Sequence, residues 1–198
     1  AGGTAKPYVG DLTQISEIAR VVATVKADFG RIDILVNSAG VFYPTPVGGT
    51  SEADYDRMMD INVKGMFFCV HEVAPHMIDQ RSGCIINISS VCGVMALGTY
   101  SAYCAAKAAV NFMTRAHSVE LAPHGIAVNA ILPGNTATPM NLDIRTEPKN
   151  KPMLDAMAAA TPSGRTYSEA IDMSRAALFL ASGDGRAMHG ALMVMDEG

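Results

Sequence analysis

The stretch IDILVNSAG, residues 32–40, decides the fold. It is an apolar run that ends on turn residues. A strand buried on both faces of a parallel sheet reads this way, whereas a half-solvated strand alternates apolar and polar residues. The same pattern recurs in GCIINIS (83–89), in GIAVNAIL (125–132), which Pro133 and Gly134 stop, and in ALMVMD (191–196). Between these runs the apolar period becomes helical. In ISEIARVVATVKADFG (15–30), Ile15, Ile18, Val21, Val22 and Val25 share one face, and Gly30 supplies a stop. Residues 51–80 open with Ser51 and Asp54 in capping-box positions and continue as helix, with Pro75 placed to bend the last turns. Helices are also expected over 100–123, 153–160 and 168–181, and AKPYV (5–9) reads as one more short strand. The Pro- and Thr-containing segment from Asn135 to about Lys151 reads as loop. Strands alternating with helices predict an α/β fold, a doubly wound parallel sheet in one domain across residues 1–198.

Composition narrows the function classes. The 198 residues are 49% hydrophobic and only 17% charged, without Trp, as suits a single well-filled core. Net charge is −4 and no Lys/Arg cluster occurs, which argues against a nucleic-acid partner. Cys69, Cys84, Cys92 and Cys104 form no Cys-x-x-Cys pair and read as reduced thiols of a cytoplasmic protein. The first residues have neither the basic nor the apolar region of a signal peptide. The uncharged stretch 82–106 is long enough to span a membrane. Asn87, Ser89, Ser90, Gly93 and Gly98 interrupt it, so strand, loop and helix fit better and no membrane partner is expected. His71 and His76 are five apart, about 140° around a helix, with Pro75 between them, so no metal site is expected.

Open parallel sheets bind ligands beyond the carboxyl ends of their strands. Asp11, Asn37–Gly40, Ser89, Ser90, Pro133 and Gly134 fall at those ends. In GTYSAYCAAKAAV (98–110), Tyr103 and Lys107 are one helical turn apart and share a face, while Tyr100 and Lys107 are nearly two turns apart. Tyr103 is therefore the candidate acid/base, and Tyr100 is left to line the site mouth or an interface. A phenol with a pKa of about 10 is a poor base near neutrality. Lowering it by about 3 units takes roughly 4 kcal/mol, within reach of an ammonium in a partly desolvated site, and Lys107 is placed to supply it.

These motifs together resemble the short-chain dehydrogenase/reductase family. NSAG (37–40) resembles its Asn-Asn-Ala-Gly motif, and INVKG (61–65) carries the helix asparagine, Asn62. Ser90 lies thirteen residues before Tyr103, YCAAK is a Tyr-x-x-x-Lys signature, PGNTAT (133–138) resembles the Pro-Gly segment, and VMDEG resembles the closing strand. The resemblance spans essentially the whole chain. It implies a Rossmann-like fold and hydride exchange between NAD or NADP and a secondary alcohol, polyol or ketone, with Asn62, Ser90, Tyr103 and Lys107 catalytic. Lys107 would also hold the nicotinamide ribose, and Asn62 would hold a relay water. Asn37, Ala39 and Gly40 would line the cofactor, Asp11 and Leu12 would face adenine, and Pro133, Gly134, Thr136 and Thr138 would meet the nicotinamide side. Ser90, Tyr103 and Met140 would touch substrate. The family's glycine-rich βαβ opening has no counterpart in residues 1–198, so this sequence is expected to lack the family's first two βα units, about 50 residues. Two other functions compete: a 3-oxoacyl-carrier-protein reductase, and a catalytically silent binding protein. A homo-oligomer, tetramer or dimer, is the family expectation.

Overall fold

The computed structural model describes residues 2–198, the side chain of Met140 apart. In chain order, α1 (Ile15–Phe29) leads to β1 (Ile34–Asn37), then α2 (Glu52–Met59), a π-helical turn (Asp60–Gly65) and α3 (Met66–Gln80). β2 (Gly83–Ile88), α4 (Ser101–Leu121) and β3 (Ile126–Pro133) follow. The remainder comprises β4 (Thr136–Ala137), α5 (Leu142–Thr146), α6 (Lys151–Ala160), β5 (Ser168–Glu169), α7 (Ala170–Ala181) and β6 (Leu192–Met195). The main sheet is parallel, in the order β1-β2-β3-β6, and β4 pairs with β5 apart from it.

Helices cover both faces of the sheet, which explains why the central strands are apolar throughout. Ile85 on β2 joins Val128 on β3 in a layer with Val70, Val73 and Met77 of α3 and Val110 of α4. Its neighbours Cys84 and Ile86 point to the other face, where Ile131 meets Ala176 and Leu180 of α7. Ile85, Ile86 and Ile131 are fully buried, each worth about 1.5–3 kcal/mol. β1 is an edge strand, and its Ile34 and Val36 remain nearly half exposed. An apolar groove of about 260 Å³ runs beside it, lined by Val21, Val22, Ile34 and Leu35 among others.

Four sequence expectations need correction. AKPYV forms no strand: no other strand pairs with it, and Val9 is 89% exposed. The segment is tied to α1 instead, through Tyr8 and Lys6 to Asp28 and through Arg20 to the Val9 carbonyl. The expected loop 135–151 contains β4 and α5, because Thr138 and Asn141 form a reciprocal cap that starts a helical turn. Ser168 and Glu169 are strand, paired with Thr136 and Ala137, so α7 begins two residues later than expected. The capping of residues 51–80 is as expected, with Ser51 Oγ accepting the Asp54 N–H at 3.1 Å. α3 continues through Pro75 to Gln80, and the single helix expected over 51–80 is interrupted by the π turn.

Candidate active site

The carboxyl ends of β1, β2 and β3 lie along one edge of the sheet, and α4 lies across the end of β2. Ser89 Oγ donates to the Lys107 carbonyl at 3.2 Å, and Lys107 Nζ donates to the Ile88 carbonyl at 2.9 Å. A Cβ on Gly93 would stand 2.8 Å from the Lys107 backbone, so glycine is what allows the turn after Ser90 to lie flat on α4. Ser90, Tyr103 and Lys107 are thereby gathered. Ser90 Oγ accepts the Cys92 N–H at 3.1 Å, which leaves its own hydrogen free to donate.

The electrostatics of the pair differ from the sequence expectation. Burial pushes the Tyr103 phenol up to about 12, with the neighbouring Ser90 hydroxyl pulling the other way. Burial also brings Lys107 down to about 8. Lys107 does not lower Tyr103 here, because its ammonium is directed at the Ile88 carbonyl and lies 5.7 Å from the phenol ring centroid. Desolvation therefore outweighs the ion effect, and Tyr103 is a neutral hydroxyl at physiological pH.

Asn62 reaches the same place from the π turn. The wider turn brings its side-chain amide to Met58 O at 3.0 Å, the carbonyl that its backbone N–H would take in a regular α-helix. The same side chain accepts the Val41 N–H at 3.2 Å and donates to the Val41 carbonyl at 3.1 Å. It thus clamps the loop after NSAG. A Cβ on Gly40 would lie 2.7 Å from Asn62 Oδ1, so this clamp requires glycine there. Gly65 is required by the same packing, since its Cβ would meet the Leu12 carbonyl at 2.9 Å.

Other expected cofactor residues are placed less directly. Asn37 turns into the sheet and donates to Asn87 Oδ1 at 2.9 Å, while Asn87 donates to Thr114. Ala39 is exposed beside it. Asp11 accepts from the N–H and hydroxyl of Thr13, which holds its carboxyl below the usual range, and Leu12 packs near the π turn. Pro133 ends β3, and the Gly134 N–H donates to Met195 O at 2.9 Å. Thr136 has a buried hydroxyl without a partner, and Thr138 takes part in the cap before α5. Met140 lies outside the residues whose side chains are described. Sequence reasoning missed the buried Asn37–Asn87–Thr114 chain, the π turn and Thr45, a buried residue whose hydroxyl caps α4 by accepting the Ala102 N–H at 3.1 Å. The lack of a capping side chain at Tyr100 was the available signal for Thr45.

Lys107 offers a test through stability. It is 6% exposed, with a folded pKa near 8 against an ordinary value of 10.5. Between those values the unfolded chain binds the extra proton, so stability rises with pH. The Lys107 penalty is full below pH 8 and is relieved by about 10.5, on the order of 3 kcal/mol in all. In chemical unfolding, wild type should gain on Lys107→Met across this window. A pH-independent difference would show instead that the ammonium is solvated.

Comparisons with known proteins agree with this architecture. The family model described as enoyl-(acyl carrier protein) reductase matches residues 1–198. Cyclopentanol dehydrogenase of Comamonas testosteroni is 36% identical over 197 residues, which cover 100% of this chain and 77% of that protein. The 3-oxoacyl-[acyl-carrier-protein] reductase of Thermotoga maritima is 36% identical over 196 residues, covering 99% of this chain and 77% of that protein. Among solved structures, NAD+-bound xylitol dehydrogenase superposes with a TM-score of 0.90 at 30% identity, covering 96% of this chain and 78% of that one. ElxO with NADP bound gives 0.89 at 28% identity, covering 96% and 76%. With its parallel sheet, flanking helices and these relatives, the chain belongs to the short-chain dehydrogenase/reductase family of oxidoreductases.

Proposed function

We propose that the protein exchanges a hydride between a nicotinamide dinucleotide, NAD or NADP, and a secondary alcohol, polyol or ketone. The observation that carries this is the joint placement of Ser90, Tyr103 and Lys107 at the end of β2, with Asn62 clamping the adjoining loop. The residues present fit a nicotinamide nucleotide. Lys107 Nζ lies 3.8 Å from where a Cβ on Gly40 would stand, and the buried Thr136 hydroxyl lacks a partner. Asn37, Ala39, Gly40, Lys107 and the 133–138 segment would hold the nicotinamide half, and Asp11 and Leu12 the adenine side. When bound, the nicotinamide supplies the hydride acceptor or donor.

The chain's own part is proton handling and orientation. Ser90 donates to the substrate oxygen and turns it toward Tyr103. In ketone reduction, Tyr103 gives its hydroxyl proton to the oxygen as alkoxide character develops; an alkoxide is the stronger base, so a phenol held at about 12 remains a competent donor. In alcohol oxidation Tyr103 must first lose that proton, so oxidation speeds up as pH rises. Asn62 sets the position of the Val41 backbone and, with Lys107, the route by which the proton leaves.

Similarity to a 3-oxoacyl-carrier-protein reductase supports carrier-bound ketones as a second reading. The third alternative, a binding protein without turnover, is separated by titrating the full-length protein with NADH and NADPH. Saturable enhancement of nucleotide fluorescence, with turnover of a secondary alcohol, is expected; no saturable change would leave a catalytically silent binding protein. We also propose self-association, supported by apolar side chains exposed on α4, Phe112 at 72% and Val119 at 80%. The four free cysteines are in keeping with a reducing compartment such as the cytoplasm.

A further inference from the structure

An aromatic stack stands directly against the reactive phenol. Phe42, just after the NSAG loop, lies flat on Tyr100 with ring centroids 4.5 Å apart and planes 5° from parallel. Its edge meets Tyr103 at 4.8 Å and 76°. Although it touches both rings, Phe42 is still 42% exposed. Core packing therefore leaves a large part of this ring available beside Tyr103.

The stack is held rigidly. Thr45 is 2% exposed and its hydroxyl caps α4. Its N–H donates to the Thr99 carbonyl at 2.6 Å, and its own carbonyl accepts the Ser101 hydroxyl at 3.3 Å. Thr99 has a left-handed φ of 66°, an uncommon conformation for threonine that these bonds keep in place. The loop carrying Phe42 is thus stapled to the first turn of the helix carrying Tyr100 and Tyr103. A wall this fixed selects by shape.

Among the described residues, the segments around this wall carry no charge with which to recognise an anion. Residues 37–51, 82–106 and 133–142, which contribute the sheet-edge loops and the start of α4, contain no Asp, Glu, Lys or Arg. Lys107 is buried against the Ile88 carbonyl. Arg145, just beyond the third segment, is bonded to Asn141 and to the Thr138 carbonyl, while Lys149 and Lys151 pair with Glu147 and Asp155. The turn joining Ser90 to Tyr100 instead exposes Val94, Met95 and Leu97. Carboxylates and phosphates are ordinarily held by Arg or Lys forks, and polyols by several convergent polar groups.

We propose that the substrate is an uncharged secondary alcohol or ketone with a compact hydrocarbon body that packs on the Phe42–Tyr100 wall. This rests on Tyr103 being the acid/base. The test is kcat/KM of the full-length protein for cyclohexanol, xylitol and 3-hydroxybutyrate, in wild type, Phe42→Ala, Phe42→Leu and Tyr103→Phe. Cyclohexanol should lead the other two by about 100-fold. Phe42→Ala should cut that value about tenfold, several-fold more than it cuts xylitol turnover, and Phe42→Leu should recover part of the loss. Preference for xylitol or 3-hydroxybutyrate overturns the proposal, as does an equal loss on every substrate in both Phe42 variants. Retained turnover in Tyr103→Phe would overturn the acid/base role instead, whatever the preference. No turnover of any compound by wild type overturns both.

Discussion

Tyr103→Phe is expected to lower kcat by about 10³-fold in both directions, while thermal stability and nucleotide affinity change little. The substitution removes one oxygen and keeps the ring that packs against Phe42 and the Met58–Ala102–Ala106 cluster. No protein acceptor depends on the Tyr103 hydroxyl for burial, so the loss falls on proton transfer and substrate orientation. Burial holds the phenol well above the usual tyrosine range, and the residual rate of the variant should lose the rise with pH that wild-type oxidation shows. Near-wild-type kcat would mean that another group carries the proton.

Asn62→Leu is expected to damage the protein in a different way. Asn62 is 2% exposed and satisfies the Val41 N–H, the Val41 carbonyl and the Met58 carbonyl. Leucine satisfies none of them, and stranding these groups costs about 3 kcal/mol, or roughly 6–12 °C in Tm for a chain of this size. Release of the Gly40–Val41 backbone should also lower kcat about 10–100-fold, because the loop that abuts Lys107 loses its fixed position. A Tm shift below about 2 °C would show that the π turn holds the loop without the Asn62 side chain.

Much of the fold was legible because its signals are local. The apolar runs ending at Asn37, Ile88 and Pro133 became β1, β2 and β3, and the Ala-rich stretch after Tyr100 became α4. What was illegible depends on partners distant in sequence. AKPYV has strand-prone residues, yet a strand exists only when another pairs with it. The π turn at Asp60–Gly65 inserts into an amphipathic pattern without breaking it, and only the packing of Gly65 on Leu12 betrays it. The spacing of Tyr103 and Lys107 placed them on one face. It could not show that Ile88 would take the lysine ammonium, or that burial would raise the phenol.

Hydride transfer itself can be followed most directly with cyclohexanol deuterated at the carbinol carbon. The full-length protein is incubated with this alcohol and oxidised nucleotide, and the reduced nucleotide is recovered and weighed by mass spectrometry. One deuterium per nicotinamide ring is the predicted result, with about 10³-fold less reduced nucleotide formed per unit time by Tyr103→Phe. Reduced nucleotide without label, or cyclohexanone formed without reduced nucleotide, would contradict direct hydride exchange at this site.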